Sequence, residues 1–206
     1  MEHTDSTQTQ AAVPVLEVNN LVKHFPVTSN FLGRVVGQVR AVEDVSFVIE
    51  KGQTRGLVGE SGSGKSTVGK VVLRLLDATE GQVKLHGQDI THVSGQELRN
   101  TRRKMQMVFQ DPYASLNPRL SAGETIMEPL ENYENFSKAQ RLERAGELLE
   151  RVGLRQDALK RYPHEFSGGQ RQRLGVARAL ALNPSLIVAD EPVSALDVSV
   201  QAQVLN

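Results

Sequence analysis

The stretch Gly59-Glu60-Ser61-Gly62-Ser63-Gly64-Lys65-Ser66-Thr67 constrains this chain more than any other. It fits the pattern of glycine, four residues, glycine, lysine and serine or threonine, with the apolar run "TRGLVGE" leading in and a helical pattern from Lys65 to about Leu76 leading out. Such a run works only where a strand passes through glycines into a helix. The expectation is therefore a short buried strand, a loop and a helix in an α/β fold. Gly59, Gly62 and Gly64 would let successive N–H groups curve around phosphates, and the dipole of the following helix adds to their pull. In that geometry Lys65 places its ammonium between the outer two phosphates and Ser66 offers a hydroxyl to Mg²⁺.

A second stretch gives the first one a chemistry. "LIVADEP", residues 186–192, reads as four apolar residues of a buried strand with two carboxylates at its C-terminal end, where α/β sheets carry their sites. Asp190 is then placed to hold Mg²⁺ through water, and Glu191 is the candidate general base for an attacking water. The pairing of the two stretches implies hydrolysis of a nucleoside triphosphate rather than binding alone.

Between and before them, strand and helix signals alternate. After a polar tail, residues 1–14, "VLEVNNLVKHF" and "VRAVEDVSFVIE" alternate apolar and polar residues as an antiparallel pair, with "PVTSNFLGRVVGQ" as a long connection. Further strands are expected at "QVKLHG" and "MQMVFQ". From Asp111 the pattern turns helical, giving a subdomain at about 111–182. Within it Leu142, Ala145, Leu149 and Val152 share one helical face and Leu174, Ala177 and Ala181 another. The 206 residues, 39% hydrophobic, suffice for one domain with a subdomain. Lys and Arg (24) balance Asp and Glu (24), so no net field argues for nucleic acid. The absence of cysteine excludes thiolate chemistry, and no run approaches the roughly 18 apolar residues of a membrane-spanning helix.

The stretch "FSGGQRQR", residues 166–173, is a second serine-and-glycine helix mouth, and one nucleotide needs only one phosphate cradle. Four motifs in order, the phosphate loop, Gln110 at a strand end, "SGGQ" and "ADEP", resemble the ATP-binding-cassette (ABC) ATPases from about Val15 onward. The resemblance implies a P-loop ABC ATPase core with an antiparallel β flank and an inserted helical subdomain, using ATP and Mg²⁺. It implies that Ser167, Gly168, Gly169 and Gln170 serve the ATP of a second subunit, that Gln110 senses Mg²⁺ and the attacking water, and that "SALD", Ser194 to Asp197, lines the dimer seam. Phe25 would stack on adenine; the alternative for it is a core residue at a strand end.

"FQDPYASLNPR" and "RYPHEFSGGQRQR" resemble more narrowly the ATP-binding subunits of oligopeptide and dipeptide permeases. That implies peptide import through transmembrane permease subunits, a substrate-binding protein acting indirectly, and a peripheral place on the cytoplasmic face of the inner membrane. The loop after Gln110 would then help form a groove for a cytoplasmic helix of the membrane subunits. Relatives of this kind also carry nickel. A different reading is an ABC-type ATPase acting on nucleic acid or the ribosome. The basic run Arg99, Arg102, Arg103, Lys104 could serve it, but such a run at a helix end reads first as a solvated cap. Members of the family continue through a further strand and a histidine beyond "DVSVQAQVLN", so the resemblance implies a domain, 15–206, incomplete at its C-terminus.

Overall fold

The computed structural model describes residues 13–28 and 35–191. The expected tail up to residue 12, the "SALD" stretch and the closing "DVSVQAQVLN" lie outside the described residues. The chain separates into two compact units, Met1–Val68 with Asp77–Val93, and Gly69–Leu76 with Ser94–Asn206.

The first unit is built on an antiparallel sheet of β1 (Leu16–Thr28), β2 (Val35–Ile49), β3 (Glu80–Leu85) and β4 (Gln88–Asp89), in the order β2-β1-β3-β4. Alternation holds through Leu16 and Val18, and a register shift at the left-handed Asn20 (φ 48°) then brings Leu21 to the buried side; all three are buried, as are Val83 and Leu85 of the neighbouring strand. The expected long connection is shorter, because pairing runs on through Pro26↔Gln38 and Val27↔Gly37. Pro26 lies past Val22↔Glu80, the last pair with β3, so β1 has a neighbour on one side only, the edge setting in which a residue without an N–H is tolerated.

The strand expected at "TRGLVGE" does not form. Residues 53–60 carry no regular structure, and Leu57 and Val58 are 49% and 94% exposed. A strand exists only through a partner for its N–H and C=O groups, and among the described residues none pairs with this run. Helix α1 (Lys65–Val72) begins where expected but stops short of Leu76. Arg74 turns left-handed (φ 55°), and the N–H groups of Leu75 and Leu76 both fold back on the Lys70 carbonyl.

The second unit contains α2 (Gly95–Lys104), β5 (Met105–Val108), α3 (Pro112–Ser115), α4 (Ala122–Tyr133), α5 (Lys138–Arg151), α6 (Gly168–Leu180) and β6 (Leu186–Ala189), with single 3₁₀ turns at Gln156–Lys160 and Pro163–Glu165. Three helices start on the same device. The hydroxyls of Ser121, Ser137 and Ser167 each cap a helix, and the N–H groups of these serines donate in return to the side-chain oxygens of Glu124, Gln140 and Gln170 three residues on. Their apolar stripes meet in a core of Ile126, Leu130, Leu148, Leu149, Leu174 and Ala177, all at most 1% exposed. The face expected on α5 is shifted: Leu142 is 46% exposed and Leu148 takes its place beside Ala145 and Leu149. Leu148→Ala in the full-length protein is expected to cost about 3 kcal/mol through the cavity it leaves. Denaturant midpoints of the two proteins measure it.

Strands β5 and β6 pair in parallel from Met105↔Leu186 to Val108↔Ala189. The "LIVA" strand is not buried throughout: Leu186 is buried, but Ile187 is 40% exposed and Ala189 is exposed too, so the strand packs by one face, as period-2 alternation allows. The basic run of α2 is also not a free cap. Arg99 lies over the Tyr133 ring at 4.9 Å and donates to the Asn132 carbonyl, Arg103 pairs with Glu134, and Arg102 donates to the Arg74 carbonyl. Two of these guanidiniums thus clip α2 to the carbonyl-rich end of α4.

Candidate active site

The phosphate loop is a narrow backbone cradle. Gly62 and Gly64 take φ of 81° and 89°, a region that side chains rarely enter. Gly64 is held closest, since a Cβ there would stand 2.0 Å from the Ala41 carbonyl oxygen. At Gly59 a Cβ would meet the Ser63 hydroxyl at 2.7 Å. Lys65 opens α1 and its Nζ donates to the Gly59 and Glu60 carbonyls at 2.8 and 2.6 Å, which holds the ammonium over the mouth of the loop. Ser66 and Thr67 follow, half-buried, in the first turn of the helix. A glycine cradle and a fixed ammonium at a helix N-terminus fit the outer phosphates of a nucleotide.

Gln110 and Glu191 meet although 81 residues separate them in sequence. Parallel pairing of β5 and β6 brings both C-terminal ends to one place, and the Asp190 N–H extends the ladder by donating to the Val108 carbonyl at 2.9 Å. The Gln110 amide donates through Nε2 to Glu191 Oε2 at 2.6 Å, which leaves its carbonyl oxygen as an acceptor. Glu191 itself is held at φ 45°, a left-handed backbone of the kind that gathers at functional positions. The donors assigned to Mg²⁺ are the Ser66 hydroxyl, the Gln110 amide oxygen and the Asp190 carboxylate. Each is an oxygen donor, the ligand type that this hard cation takes.

The second helix mouth is a true cap. The Ser167 hydroxyl accepts from the Gln170 N–H at 3.3 Å, and the Gln170 side chain accepts from the Ser167 N–H at 3.0 Å. The hydroxyl keeps its own O–H to donate, Ser167 is exposed, and a Cβ on Gly168 would meet nothing within 4 Å. The cap therefore leaves an open approach to the first-turn N–H groups of Gly168 and Gly169.

Phe25 lies within β1, opposite Val39, half-buried, with the Lys23 ammonium 5.0 Å from the centre of its ring. One residue that sequence reasoning passed over is Asp111. Its carboxylate accepts from the N–H groups of Tyr113 (2.7 Å) and Ala114 (3.3 Å) and so fixes the turn directly after Gln110. Asp followed by Pro at the first helical position was the signal. Behind Gln110 a cleft of about 680 Å³ opens among Leu75, Phe109, Ala114, Tyr133 and Arg178. Burial pushes the Arg178 guanidinium below its usual value, against the pull of Glu128.

The chain is 58% identical, over 93% of its length and 54% of the relative's, to the "Probable peptide ABC transporter ATP-binding protein y4tS" of Sinorhizobium fredii. It is 56% identical to the oligopeptide transport ATP-binding protein AppF of Bacillus subtilis, over 93% of this chain and 59% of that one. The chain thus spans little more than half the length of these two relatives. Among solved structures, the dimeric ATP-binding cassette MJ0796 bound to ADP and Pi superposes with a TM-score of 0.82 at 32% identity, covering 92% of this chain and 79% of the other. The ABC transporter family model matches residues 42–194, from just before the phosphate loop to just past Glu191, and the chain belongs to the ABC transporter family.

Proposed function

We propose that this chain is the ATP-binding and ATP-hydrolysing part of a subunit that powers peptide import, working in pairs beneath membrane permease subunits on the cytoplasmic face of the inner membrane. The observation that carries the hydrolytic reading is the 2.6 Å contact between the Gln110 amide and the Glu191 carboxylate at the ends of the parallel strands. Peptides as cargo are supported by the names of the relatives. Among the described residues no helix is long and apolar enough to cross a membrane.

In this reading the phosphate loop and Lys65 hold the outer phosphates of ATP, and Phe25 packs against adenine. Glu191 takes a proton from water as the water oxygen attacks the γ-phosphorus and the bond to the ADP oxygen breaks. Gln110, hydrogen-bonded to Glu191, orients that carboxylate and keeps its amide oxygen for the water or the metal. When bound through Ser66, Gln110 and Asp190, Mg²⁺ would neutralise charge on the β- and γ-phosphate oxygens. Ser167, Gly168, Gly169 and Gln170 offer their open cap to the γ-phosphate held by a partner subunit.

Ser167→Arg tests the pairing. In the full-length protein with Glu191→Gln to stall turnover, ATP should drive association of the parent but not of the Ser167→Arg variant, because the arginine occupies the approach that a partner's phosphate needs. Light scattering with and without ATP reads it, and a shift of at least about tenfold in the association constant is expected from one such obstruction. Association at the parent's strength would remove the signature from the dimer contact.

A further inference from the structure

The hydrolytic reading leaves two arginines of α6 without a task. Arg171 is 6% exposed, and among the described residues no carboxylate forms an ion pair with it. Its Nε donates to the Pro163 carbonyl at 2.6 Å, its Nη2 reaches the His164 carbonyl at 3.5 Å, and its guanidinium lies 3.7 Å from the centre of the Tyr113 ring. The remaining nitrogen, Nη1, has no hydrogen-bond partner among the described residues. Two helical turns further along the same face, Arg178 donates to the Ser115 carbonyl at 2.5 Å.

The partners of these two side chains are not scattered. Tyr113 and Ser115 belong to α3, the four-residue helix that Asp111 caps immediately after Gln110. Pro163 and His164 form the 3₁₀ turn that delivers the chain to Ser167. One guanidinium therefore touches both the segment that carries Gln110 and the segment that carries the α6 cap. A cation buried without a counter-ion is costly, and here only carbonyls and a ring face offset that cost.

We propose that Arg171, seconded by Arg178, is a positioning residue for hydrolysis: it fixes the α6 cap relative to the Gln110–Glu191 pair, so that engagement of a partner's nucleotide and alignment of the attacking water are set together. The proposal rests on the reading of Glu191 as the base and of Ser167 as the contact to the partner's ATP. It predicts a loss in turnover without a loss in nucleotide affinity, since neither arginine lies in the phosphate loop.

The test measures phosphate release by the full-length protein without membrane subunits, so that docking does not enter. Tyr113→Leu and Arg171→Lys, which remove the ring face and the planar guanidinium in turn, should each lower kcat about fivefold, the scale of one cation–π contact to a largely exposed ring. KM for ATP should stay within about twofold of the parent, and Tyr113→Phe, which keeps the ring face, should retain the parent's kcat. Tyr113 is 66% exposed, so its replacement does not hollow the core, and it decides the matter if Arg171→Lys fails to fold. Parental kcat in Tyr113→Leu, or a Tyr113→Phe variant as slow as Tyr113→Leu, would overturn the positioning role. Glu191→Gln serves as the control: if it still turns over, the reading of the base has failed; if it is inactive while Tyr113→Leu is fully active, only the positioning role has.

Discussion

Glu191→Gln in the full-length protein is expected to reduce steady-state phosphate release by at least about a hundredfold while ATP affinity stays within about twofold, the range lost when a general base is removed. The amide of glutamine has the shape of the carboxylate and can still meet Gln110, but it cannot accept the proton that the attacking water must lose. Binding is spared because the ammonium and the backbone cradle that meet the phosphates belong to a different stretch, Gly59 to Thr67. Phosphate release and titration with a fluorescent ATP analogue, run on the same preparation, separate the two quantities. Turnover within tenfold of the parent would mean that another group takes the proton.

Lys65→Ala should act the other way round, weakening ATP binding by about a hundredfold, the worth of one or two charge-assisted hydrogen bonds. The Lys65 ammonium is fixed to the carbonyls of Gly59 and Glu60, so it is already gathered over the loop before any phosphate arrives. Its removal therefore takes away both a charge and two bonds that shape the cradle. The same fluorescent titration measures it. An affinity within a factor of two of the parent would separate this loop from the nucleotide.

Much of the first unit was legible because its signals are local. Alternation in β1 and β2 depends on neighbours two residues apart, and Gly64 next to Lys65 marks the turn into α1 without reference to distant residues. The serine-and-glycine mouth at Ser167 was equally local, and the structure shows the same serine cap, with Glu or Gln three residues on, at Ser121 and Ser137. What failed was whatever depends on a partner far along the chain. An apolar run such as Leu57–Val58 says that it could pair, not that anything lies beside it. Arg99 and Arg103 looked like solvated charges until α4 supplied a ring, a carbonyl and Glu134. Leu142 and Leu148 both fit the period of α5, and only the packing of α4 and α6 chooses between them.

The candidate site divides along the same line. Each motif could be read as a cradle, a carboxylate pair or a helix mouth from its own residues. That Gln110 would meet Glu191 depends on β5 and β6 lying parallel in register, a pairing of two short runs that no sequence period encodes. Arg171 was invisible for a related reason: the stretch "FSGGQRQR" announces a helix mouth, but the burial of its first arginine comes from a ring and two carbonyls on other segments.

The phosphate loop also sets which mutational routes are open to the chain. Its three glycines resist replacement for different reasons: Gly62 has open space around it but a left-handed backbone, Gly64 has both a left-handed backbone and the Ala41 carbonyl against it, and Gly59 has only the Ser63 hydroxyl in the way. A side chain at Gly62 or Gly64 cannot be accommodated by trimming any neighbouring side chain, because the obstacle is backbone. At Gly59 the obstacle is a single oxygen atom, so an alanine there becomes admissible once Ser63 is also alanine. Drift at the glycines of the loop is therefore confined to one coupled pair of positions, and a lineage that changed Gly59 would be expected to carry its history at Ser63.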